Sequence, residues 1–332
     1  MATIESRFLM EDLIAYYKNK TVAITGAGGY LASVLIDALQ ETPAHILRIS
    51  GRDLRPIPGT ETLKTDVRTN DCWEEIVSRA DVIFHLAGNT SVYAAAKDPA
   101  ESLNSTVLPI THLIAAAQSA GCERRVVFAS TATVYGLTGD LPVAEDVELN
   151  PVTSYDLHKL FAEKQLELAS KQGILEGVSL RLANVYGPSS SVNSADDRGI
   201  LNRITKMALQ GVNLQLYGDG DYLRDYVYID DAARAFIVAG AEKGLVGRSF
   251  NVATGKSITV REAFHLVADR AERVTGKRVQ IDNAPWPDGA DSIEFRSFVA
   301  DITSIQNSAG WYPTISLPQG VDRLIKYFCN KD

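Results

Sequence analysis

The sequence predicts an α/β fold: a doubly wound parallel sheet covered by helices, followed by a smaller mixed α/β domain. Three observations support this prediction. Strand-like and helix-like segments alternate through the first half, and the strand-like ones are continuous apolar runs. After Pro188 this pattern changes to a polar stretch followed by helix-like and short strand-like segments. Continuous apolar runs are typical of strands buried on both faces, and strand–helix alternation is typical of parallel sheets. We expect a first domain over residues 1–188 and a second over 189–332, with some later segments packing back on the first.

The elements are predicted in chain order from these patterns. In the first half, strands are expected at residues 21–25, 45–50, 81–85, 126–129 and 178–182. Between them, helices are expected at residues 30–40, 72–78, 98–119 and 154–172. After a polar loop at 189–199, helices are expected at 200–210, 230–241, 260–274 and 318–328, and short strands at 213–217 and 226–229.

Composition excludes several classes of protein. The 332 residues carry a formal net charge of -8, which argues against a nucleic-acid binder. No apolar run reaches the roughly 18 residues of a membrane helix, and the acidic start of the chain lacks the layout of a secretory signal. Three separated cysteines exclude a disulfide framework, and five scattered histidines show no metal-ligand spacing. We therefore expect a cytoplasmic protein without a metal site.

A glycine-rich turn follows the first predicted strand directly. Gly26, Gly29 and Ala32 fit a G-x-x-G-x-x-A pattern that includes Tyr30 and Leu31. Glycines in such a turn let backbone N–H groups approach a pyrophosphate at the positive end of a helix. An ordinary strand–helix turn is the alternative reading. Its place at the first strand of the series favours a dinucleotide site.

The end of the second predicted strand bears on which dinucleotide is bound. An NAD site usually has a carboxylate there for the ribose hydroxyls, but this strand ends with Ser50, followed by Arg52. A hydroxyl and an arginine can bind a 2′-phosphate that a carboxylate would repel. NADP is therefore favoured over NAD; in the alternative reading Arg52 is solvated and Asp53 holds the NAD ribose. Further positions expected along the cofactor are Asp66, Val67, Ala87 and Gly88.

The candidate catalytic residues lie on a predicted helix. Tyr155 and Lys159 are four residues apart, so they share one helix face, and a nearby ammonium favours the ionised form of a phenol. Such a pair alone is commonly a surface feature. Here Ser130 and Thr131 end a buried strand and release hydroxyls into the crevice where doubly wound sheets bind ligands. Hydroxyl, tyrosine and lysine together suit proton transfer in alcohol–ketone chemistry.

Several motifs in this order resemble the extended short-chain dehydrogenase/reductase family, which includes the nucleotide-sugar epimerases and dehydratases. They cover roughly residues 18 to 328 and are Thr25-Gly26-x-x-Gly29, Ser130-Thr131-x-x-Val134-Tyr135-Gly136, Tyr155-x-x-x-Lys159, Arg181-x-x-Asn184-Val185-Tyr186-Gly187-Pro188, Gly218-Asp219-Gly220, Arg224-Asp225-Tyr226-Val227, Phe250-Asn251-Val252-Ala253 and Gly310-Trp311-x-Pro313. The resemblance implies a Rossmann-like fold, a nicotinamide cofactor and a nucleotide-diphosphate-sugar substrate. It also implies a homodimer, formed through the helices predicted at 98–119 and 154–172.

The resemblance also implies roles for individual residues. Tyr155 would be the acid/base, Lys159 would orient the nicotinamide ribose, and Thr131 would hydrogen-bond the sugar hydroxyl or ketone. The implied cofactor residues are Gly26, Gly29, Tyr30, Leu31, Ser50, Arg52, Asp66, Val67, Ala87, Gly88, Asn104, Tyr155 and Lys159. The implied substrate residues are Thr90, Ser130, Thr131, Asn184, Gln215, Arg224 and Arg296, with Asn184 and Arg224 on the diphosphate.

Two positions depart from the pattern of the dehydrating members. Those members resemble Thr-Asp-Glu where this chain has Thr131, Ala132 and Thr133, so 4,6-dehydration is disfavoured. The glutamate of related decarboxylases is absent too. The leading hypothesis is therefore an NAD(P)-dependent nucleotide-sugar epimerase acting at C4. The alternative is an NADPH-dependent reductase of a 4-keto nucleotide sugar. A non-catalytic binding module is disfavoured because Tyr155 and Lys159 are both present.

Overall fold

The computed structural model describes residues 13–190 and 199–331, and a sheet of seven parallel strands forms its centre. The strands of this sheet are β1 (Thr21–Thr25), β2 (His45–Ser50), β3 (Thr60–Lys64), β4 (Val82–His85), β5 (Arg125–Thr131), β6 (Glu176–Leu182) and β11 (Arg248–Val252). Their order across the sheet is β11-β6-β5-β4-β1-β2-β3. The predicted α/β fold with a doubly wound parallel sheet is confirmed. Most of the predicted loop at 189–199 lies outside the described residues.

Helices cover both faces of this sheet. They are α1 (Tyr30–Gln40), α2 (Asp71–Arg79), α3 (Val92–Lys97), α4 (Pro99–Thr106), α5 (Leu108–Ala120), α6 (Ser154–Lys171) and α8 (Ile229–Ala241). Apolar side chains of α1 and α8 pack on one face, and those of α2, α5 and α6 pack on the other. Successive residues of a strand point to opposite faces. In β1, Val22 and Ile24 accordingly enter the first core and Ala23 enters the second, which explains the continuous apolar run.

A third core organises the later part of the chain. Its helices are α7 (Ile200–Gln210), α9 (Val260–Thr275) and α11 (Leu317–Cys329), and the short α10 (Thr303–Ala309) packs near β11. Three two-stranded pairs complete the structure: β7 (Asn184–Tyr186) with β10 (Tyr226–Tyr228), β8 (Leu214–Tyr217) with β13 (Ile281–Ala284), and β9 (Leu223–Arg224) with β12 (Ile258–Thr259). The first two pairs are parallel and the third is antiparallel.

The structure differs from the predicted elements in several places, and two of the differences concern the main sheet and its helices. The single helix expected at 98–119 is divided into α4 and α5, and Pro109 lies in the first turn of α5, where its missing N–H removes no helix bond. The edge strands β3 and β11 were not predicted. β11 and α8 both come from beyond residue 188 and pack with the main sheet. The division at that residue stays a prediction.

Within the described ranges, no helix is long and apolar enough to cross a membrane. In the same ranges, no cluster of histidine, cysteine and acidic side chains is arranged to hold a metal ion.

Candidate active site

A cleft of about 1260 Å³ opens at the carboxyl ends of β1, β2, β4 and β5. From β1 the chain continues to β2 on one side of the sheet, and it returns later to β4 on the other side of β1. Doubly wound sheets bind ligands at this point, where the strand order reverses. Separate stretches of the sequence meet in its lining. The predicted residues that line it are Gly26, Gly29, Tyr30, Leu31, Ser50, Arg52, Asp66, Val67, Ala87, Gly88, Thr90, Ser130, Thr131, Tyr155 and Lys159.

The glycine-rich turn after β1 requires glycine for two reasons. Gly26 has a φ of 67°, in the left-handed region, and a Cβ atom on it would lie 2.9 Å from the backbone N of Ala87. The Ala87 N–H also donates to Thr25 Oγ1 at 3.1 Å, so the turn and the segment after β4 are held together. Gly29 begins α1 without a side-chain cap. The positive end of α1 therefore lies in the cleft wall as a suitable site for an anion.

At the end of β2 the cleft is lined by a hydroxyl and a cation. The Arg52 N–H donates to Ser50 Oγ at 3.0 Å, which fixes the turn between these two residues. Asp53, the alternative ribose ligand, does not line the cleft, and its carboxylate lies 2.7 Å from Lys64 Nζ on the surface. Ser50 and Arg52 therefore line this end of the cleft, and Asp53 does not.

The catalytic candidates lie in the first two turns of α6. The helix begins with a capping box, in which Thr153 and Asp156 exchange side-chain to backbone hydrogen bonds. This cap fixes the direction of Tyr155 and Lys159, which both line the cleft. Lys159 Nζ donates to the main-chain oxygen of Ala129 at 2.8 Å and lies 6.0 Å from the centre of the Tyr155 ring.

The Lys159 ammonium lies in an apolar environment. Its Nζ is 4.7 Å from the centre of the Phe128 ring, and a Cβ atom on Gly88 would lie 3.7 Å from it. Burial lowers the pKa of Lys159 to about 8, although the Glu163 carboxylate acts in the opposite direction. An amine with this pKa can change its charge near the pH at which enzymes work.

The two hydroxyl residues at the end of β5 have different partners. The Ser130 hydroxyl donates to Glu163, a buried carboxylate that also lies 2.8 Å from Arg181 Nη2. Thr131 Oγ1 lies 2.9 Å from Thr133 Oγ1 and accepts the Thr133 N–H. Thr131 is thus engaged beside the cleft, and the Ser130 hydroxyl is engaged with Glu163.

Five predicted residues do not line the cleft: Asn104, Asn184, Gln215, Arg224 and Arg296. Asn104 and Gln215 are exposed on α4 and β8, and Asn184 is half-buried in β7. The buried Arg224 guanidinium donates to the main-chain oxygens of Leu223, Glu294 and Arg296. Burial, and then the charge of Arg224, lower the pKa of Arg296 to about 10. These two arginines therefore form a cationic group close to the cleft residue Glu294.

Six charged or polar residues of the lining were not predicted: Thr65, Arg68, Ser91, Tyr93, Arg203 and Glu294. The Tyr93 hydroxyl, on α3, donates to the Glu294 carboxylate at 3.3 Å and joins the two sides of the cleft. Arg68 pairs with Asp66 at 2.6 Å. None of these residues belongs to a local motif. Tyr93 and Glu294 meet only through long-range packing. A sequence pattern offers no signal for such contacts.

The family is established by comparison with known proteins. The model of the NAD dependent epimerase/dehydratase family matches residues 22–253. The chain belongs to this family. Among curated relatives, it is 29% identical to a UDP-glucose 4-epimerase of Mycolicibacterium smegmatis, covering 93% of this chain and 98% of the relative. It is 26% identical to a dTDP-4-dehydro-6-deoxyglucose reductase of Escherichia coli, covering 92% of this chain and 96% of the relative.

Solved structures agree with this assignment. The Thermotoga maritima UDP-glucose 4-epimerase with UDP-glucose has a TM-score of 0.82 at 26% identity, covering 94% of this chain and 99% of its own. The Thermus thermophilus UDP-glucose 4-epimerase complex with NAD has a TM-score of 0.81 at 26% identity, covering 94% of this chain and 100% of its own. The resemblance found in the sequence is confirmed, and the chain is an enzyme of this family.

Proposed function

We propose that the protein is an NAD(P)-dependent nucleotide-sugar epimerase acting at C4. One observation carries the proposal: Thr131, Tyr155 and Lys159 line the same cleft as the glycine-rich turn. The positions after Thr131 are Ala132 and Thr133, so the carboxylates of the dehydrating members are missing from them. Oxidation and reduction at one carbon need an acid/base and a hydride carrier, and this set provides the acid/base.

The chain's own residues have distinct tasks in this reaction. Tyr155 takes the proton of the C4 hydroxyl and gives it back, Lys159 holds positive charge beside it, and Thr131 hydrogen-bonds the sugar. A bound nicotinamide supplies the acceptor and then the donor of the C4 hydride. Between the two transfers the keto sugar rotates and presents its other face. The volume of the cleft, about 1260 Å³, exceeds that of sites for single drug-sized ligands and suits two nucleotide ligands.

The residues present fit a dinucleotide. A Cβ atom at Gly26 would collide with the segment after β4, and the uncapped N-terminus of α1 offers its positive end to a pyrophosphate. Ser50 and Arg52 would border the adenosine ribose of a bound dinucleotide, and Asp66 and Val67 would border its adenine. Asn104 is the one proposed cofactor residue outside this lining.

We assign the substrate diphosphate to Arg224 and Arg296. Burial and then the charge of Arg224 lower the pKa of Arg296, and an anion beside the two cations would favour their charged forms. Arg224 Nη2 donates to the main-chain oxygen of the cleft residue Glu294 at 2.7 Å, so the pair lies next to the cleft wall. Arg296→Ala is expected to raise the KM for the nucleotide sugar more than it lowers kcat. An unchanged KM would contradict the assignment.

We favour NADP as the cofactor because Ser50 and Arg52 border the cleft and Asp53 does not. Losing a charged hydrogen bond to a phosphate costs about 1.5–3 kcal/mol, so Arg52→Ala should weaken NADPH binding about 10- to 100-fold. NADH binding should change little. Asp53→Ala is the matched control and should alter neither, because its carboxylate pairs with Lys64 on the surface. Equal losses for NADPH and NADH in Arg52→Ala would argue against the preference.

The experiment that tests the reaction is incubation of the purified enzyme with a panel of nucleotide hexoses and no added reductant. The C4 epimer should form, and Tyr155→Phe should lower the rate by at least about 10²-fold. No turnover across the panel would contradict the epimerase, and undiminished turnover by Tyr155→Phe would contradict the acid/base.

The second candidate is an NADPH-dependent reductase of a 4-keto nucleotide sugar. Ser50 and Arg52 favour it, because a net reduction consumes NADPH. A stoichiometric loss of NADPH absorbance with a keto sugar would identify the reductase. A cofactor that copurifies with the enzyme and is never consumed would identify the epimerase.

We also propose a homodimer formed through α5 and α6. On α6, Leu157, Phe161 and Leu168 are 53%, 56% and 56% exposed, and their spacing places them on one helix face. An exposed apolar stripe of this kind is typical of an interface. Phe161→Glu should give a monomer in size-exclusion chromatography with light scattering. Asp269→Lys, on the exposed side of α9, is the control and should remain dimeric.

A further inference from the structure

The residue directly after Tyr155 is a buried carboxyl group. Asp156 is 0% exposed, and its Oδ2 accepts the Thr153 N–H at 3.2 Å in the cap of α6. Its Oδ1 is also buried and makes no hydrogen bond of good geometry in the part of the chain that the structure describes. Helix capping therefore accounts for one oxygen of Asp156 and leaves the other unexplained. A buried polar atom of this kind usually has a partner.

A pair of hydroxyl groups lies between Asp156 and the cleft. Thr133 Oγ1 is 2.9 Å from Thr131 Oγ1, and either hydroxyl could be the donor. Burial raises the pKa of Asp156, and the Thr133 side chain is the first of the groups that lower it, followed by Thr153 and Arg296. The segment Ala132–Tyr135, which carries Thr133, packs against α6, which carries Asp156. Thr153, Thr133 and Arg296 all favour its charged form.

The chemistry of these groups determines which way the hydrogen bonds run. An ionised carboxylate only accepts, so a hydrogen bond between Thr133 and Asp156 uses the single proton of the Thr133 hydroxyl. The Thr133 oxygen can then only accept, so the Thr131 hydroxyl donates its single proton to Thr133. Thr131 also accepts the Thr133 N–H at 3.2 Å, which leaves it one lone pair for a ligand. Towards the cleft, Thr131 is then an acceptor and cannot donate.

We propose that Asp156 is a positioning residue that fixes Thr131 as a hydrogen-bond acceptor and so biases the site towards a hydroxyl sugar over a keto sugar. This inference rests on the proposed function. A sugar hydroxyl can donate to the free lone pair of Thr131, whereas a keto oxygen only accepts and gains nothing from it. Tyr155 remains the donor to the keto oxygen. A substrate that arrives as an alcohol suits this polarity, as in the epimerase, and one that arrives as a ketone does not.

The test measures how much bound sugar rests as the ketone. With a saturating nucleotide hexose and enzyme-bound oxidised cofactor, the absorbance of the reduced nicotinamide reports the ratio of keto to hydroxyl sugar on the enzyme. Asp156→Asn keeps an oxygen for the helix cap but supplies an N–H that can donate to Thr133. Thr131 can then donate to the cleft. One gained hydrogen bond should raise the keto-to-hydroxyl ratio roughly 3- to 10-fold.

Three further variants separate this role from a structural one. Thr133→Val removes the middle hydroxyl and should raise the ratio as Asp156→Asn does, because it also releases the Thr131 proton. Thr133→Ser keeps that hydroxyl and should retain the wild-type ratio. Thr153→Ala removes the Oγ1 acceptor from the cap of α6 but keeps the Thr153 N–H to Asp156 Oδ2 and both hydroxyls of Thr131 and Thr133, so it should lower the melting temperature and leave the ratio unchanged.

The outcomes distinguish this proposal from the proposed function. Ratios that remain at the wild-type value in both Asp156→Asn and Thr133→Val would overturn the polarity assignment alone. A rise in Thr153→Ala as large as that in Asp156→Asn would also overturn it, since the effect would then come from the cap. If the wild-type enzyme shows no hexose-dependent reduction at all, the failure belongs to the proposed function and is visible before any variant is made.

Discussion

The charge of Lys159 should set the alkaline limit of activity. Its Nζ is buried between the Phe128 ring, at 4.7 Å, and the main-chain oxygen of Ala129, at 2.8 Å. Burial lowers the pKa of the amine from 10.5 to about 8, against the opposing effect of Glu163. One pH unit above that pKa, about a tenth of the molecules still carry the ammonium. The value of kcat/KM should therefore fall about tenfold per pH unit above pH 8.

The assay is the pH profile of epimerisation between about pH 6 and pH 10. In Lys159→Arg the side chain stays charged through this range, so the fall of kcat/KM above pH 8, the alkaline limb of the profile, should disappear. The rate of this variant should be lower than that of the wild type. Lys164→Met changes an exposed lysine of the same helix and should keep the wild-type profile. A limb that remains near pH 8 in Lys159→Arg, or a wild-type profile that is flat to about pH 10, would refute the reasoning.

The same shift predicts how stability depends on pH. Between about pH 8 and pH 10.5 the folded protein binds fewer protons at Lys159 than the unfolded chain does, so this group's contribution to the free energy of unfolding rises with pH. A pKa shift of this size changes the contribution of Lys159 to the free energy of unfolding by about 3 kcal/mol across that pH window. Lys159→Met removes this titration. As the pH rises from about 8 to about 10.5, the free energy of unfolding of the wild type should therefore rise relative to that of the variant.

Two further predictions concern positions that the fold constrains tightly. Gly26→Ala should abolish cofactor binding in a fluorescence titration, because its Cβ atom would lie 2.9 Å from the Ala87 backbone, whereas Gly139→Ala has open space and should bind normally. Asp231→Ala should cost about 3–5 kcal/mol in urea unfolding, because its buried carboxylate is 2.6 Å from Arg234 and accepts two backbone N–H groups. A loss below about 1 kcal/mol, as for an exposed charge, would show that this network is not stabilising.

The main sheet was predictable where burial on both faces produced continuous apolar runs. β1 and β4 are such runs, and their predicted bounds agree with the structure to within one residue. β3 is a different case: its sequence is Thr-Glu-Thr-Leu-Lys, and three of its five residues are exposed at the sheet edge. An exposed edge strand needs no apolar run, so periodicity does not reveal it. β11 was missed because it joins the sheet from beyond residue 188.

The residues that line the cleft also divide into those that a local motif predicts and those that only tertiary packing brings together. Residues carried by a local motif, such as Gly26, Tyr155 and Lys159, were found because a turn or a single helix brings them together. Tyr93 and Glu294 are 201 residues apart in sequence and meet only through tertiary packing. Arg224 was found by its motif, but the structure turns its guanidinium to main-chain oxygens rather than to the open cleft.

Ser130 and Thr131 show that a finer argument was available within the sequence. Successive residues of a strand point to opposite faces. Phe128 packs in the core beneath α6, so Ser130 should point to α6 as well, and its hydroxyl indeed donates to Glu163 of that helix. Thr131 is one residue further and is directed away from α6, towards Thr133 and the cleft. The period of two thus gives the two neighbouring hydroxyls separate surroundings: Ser130 joins the strand end to α6, and Thr131 faces the cleft.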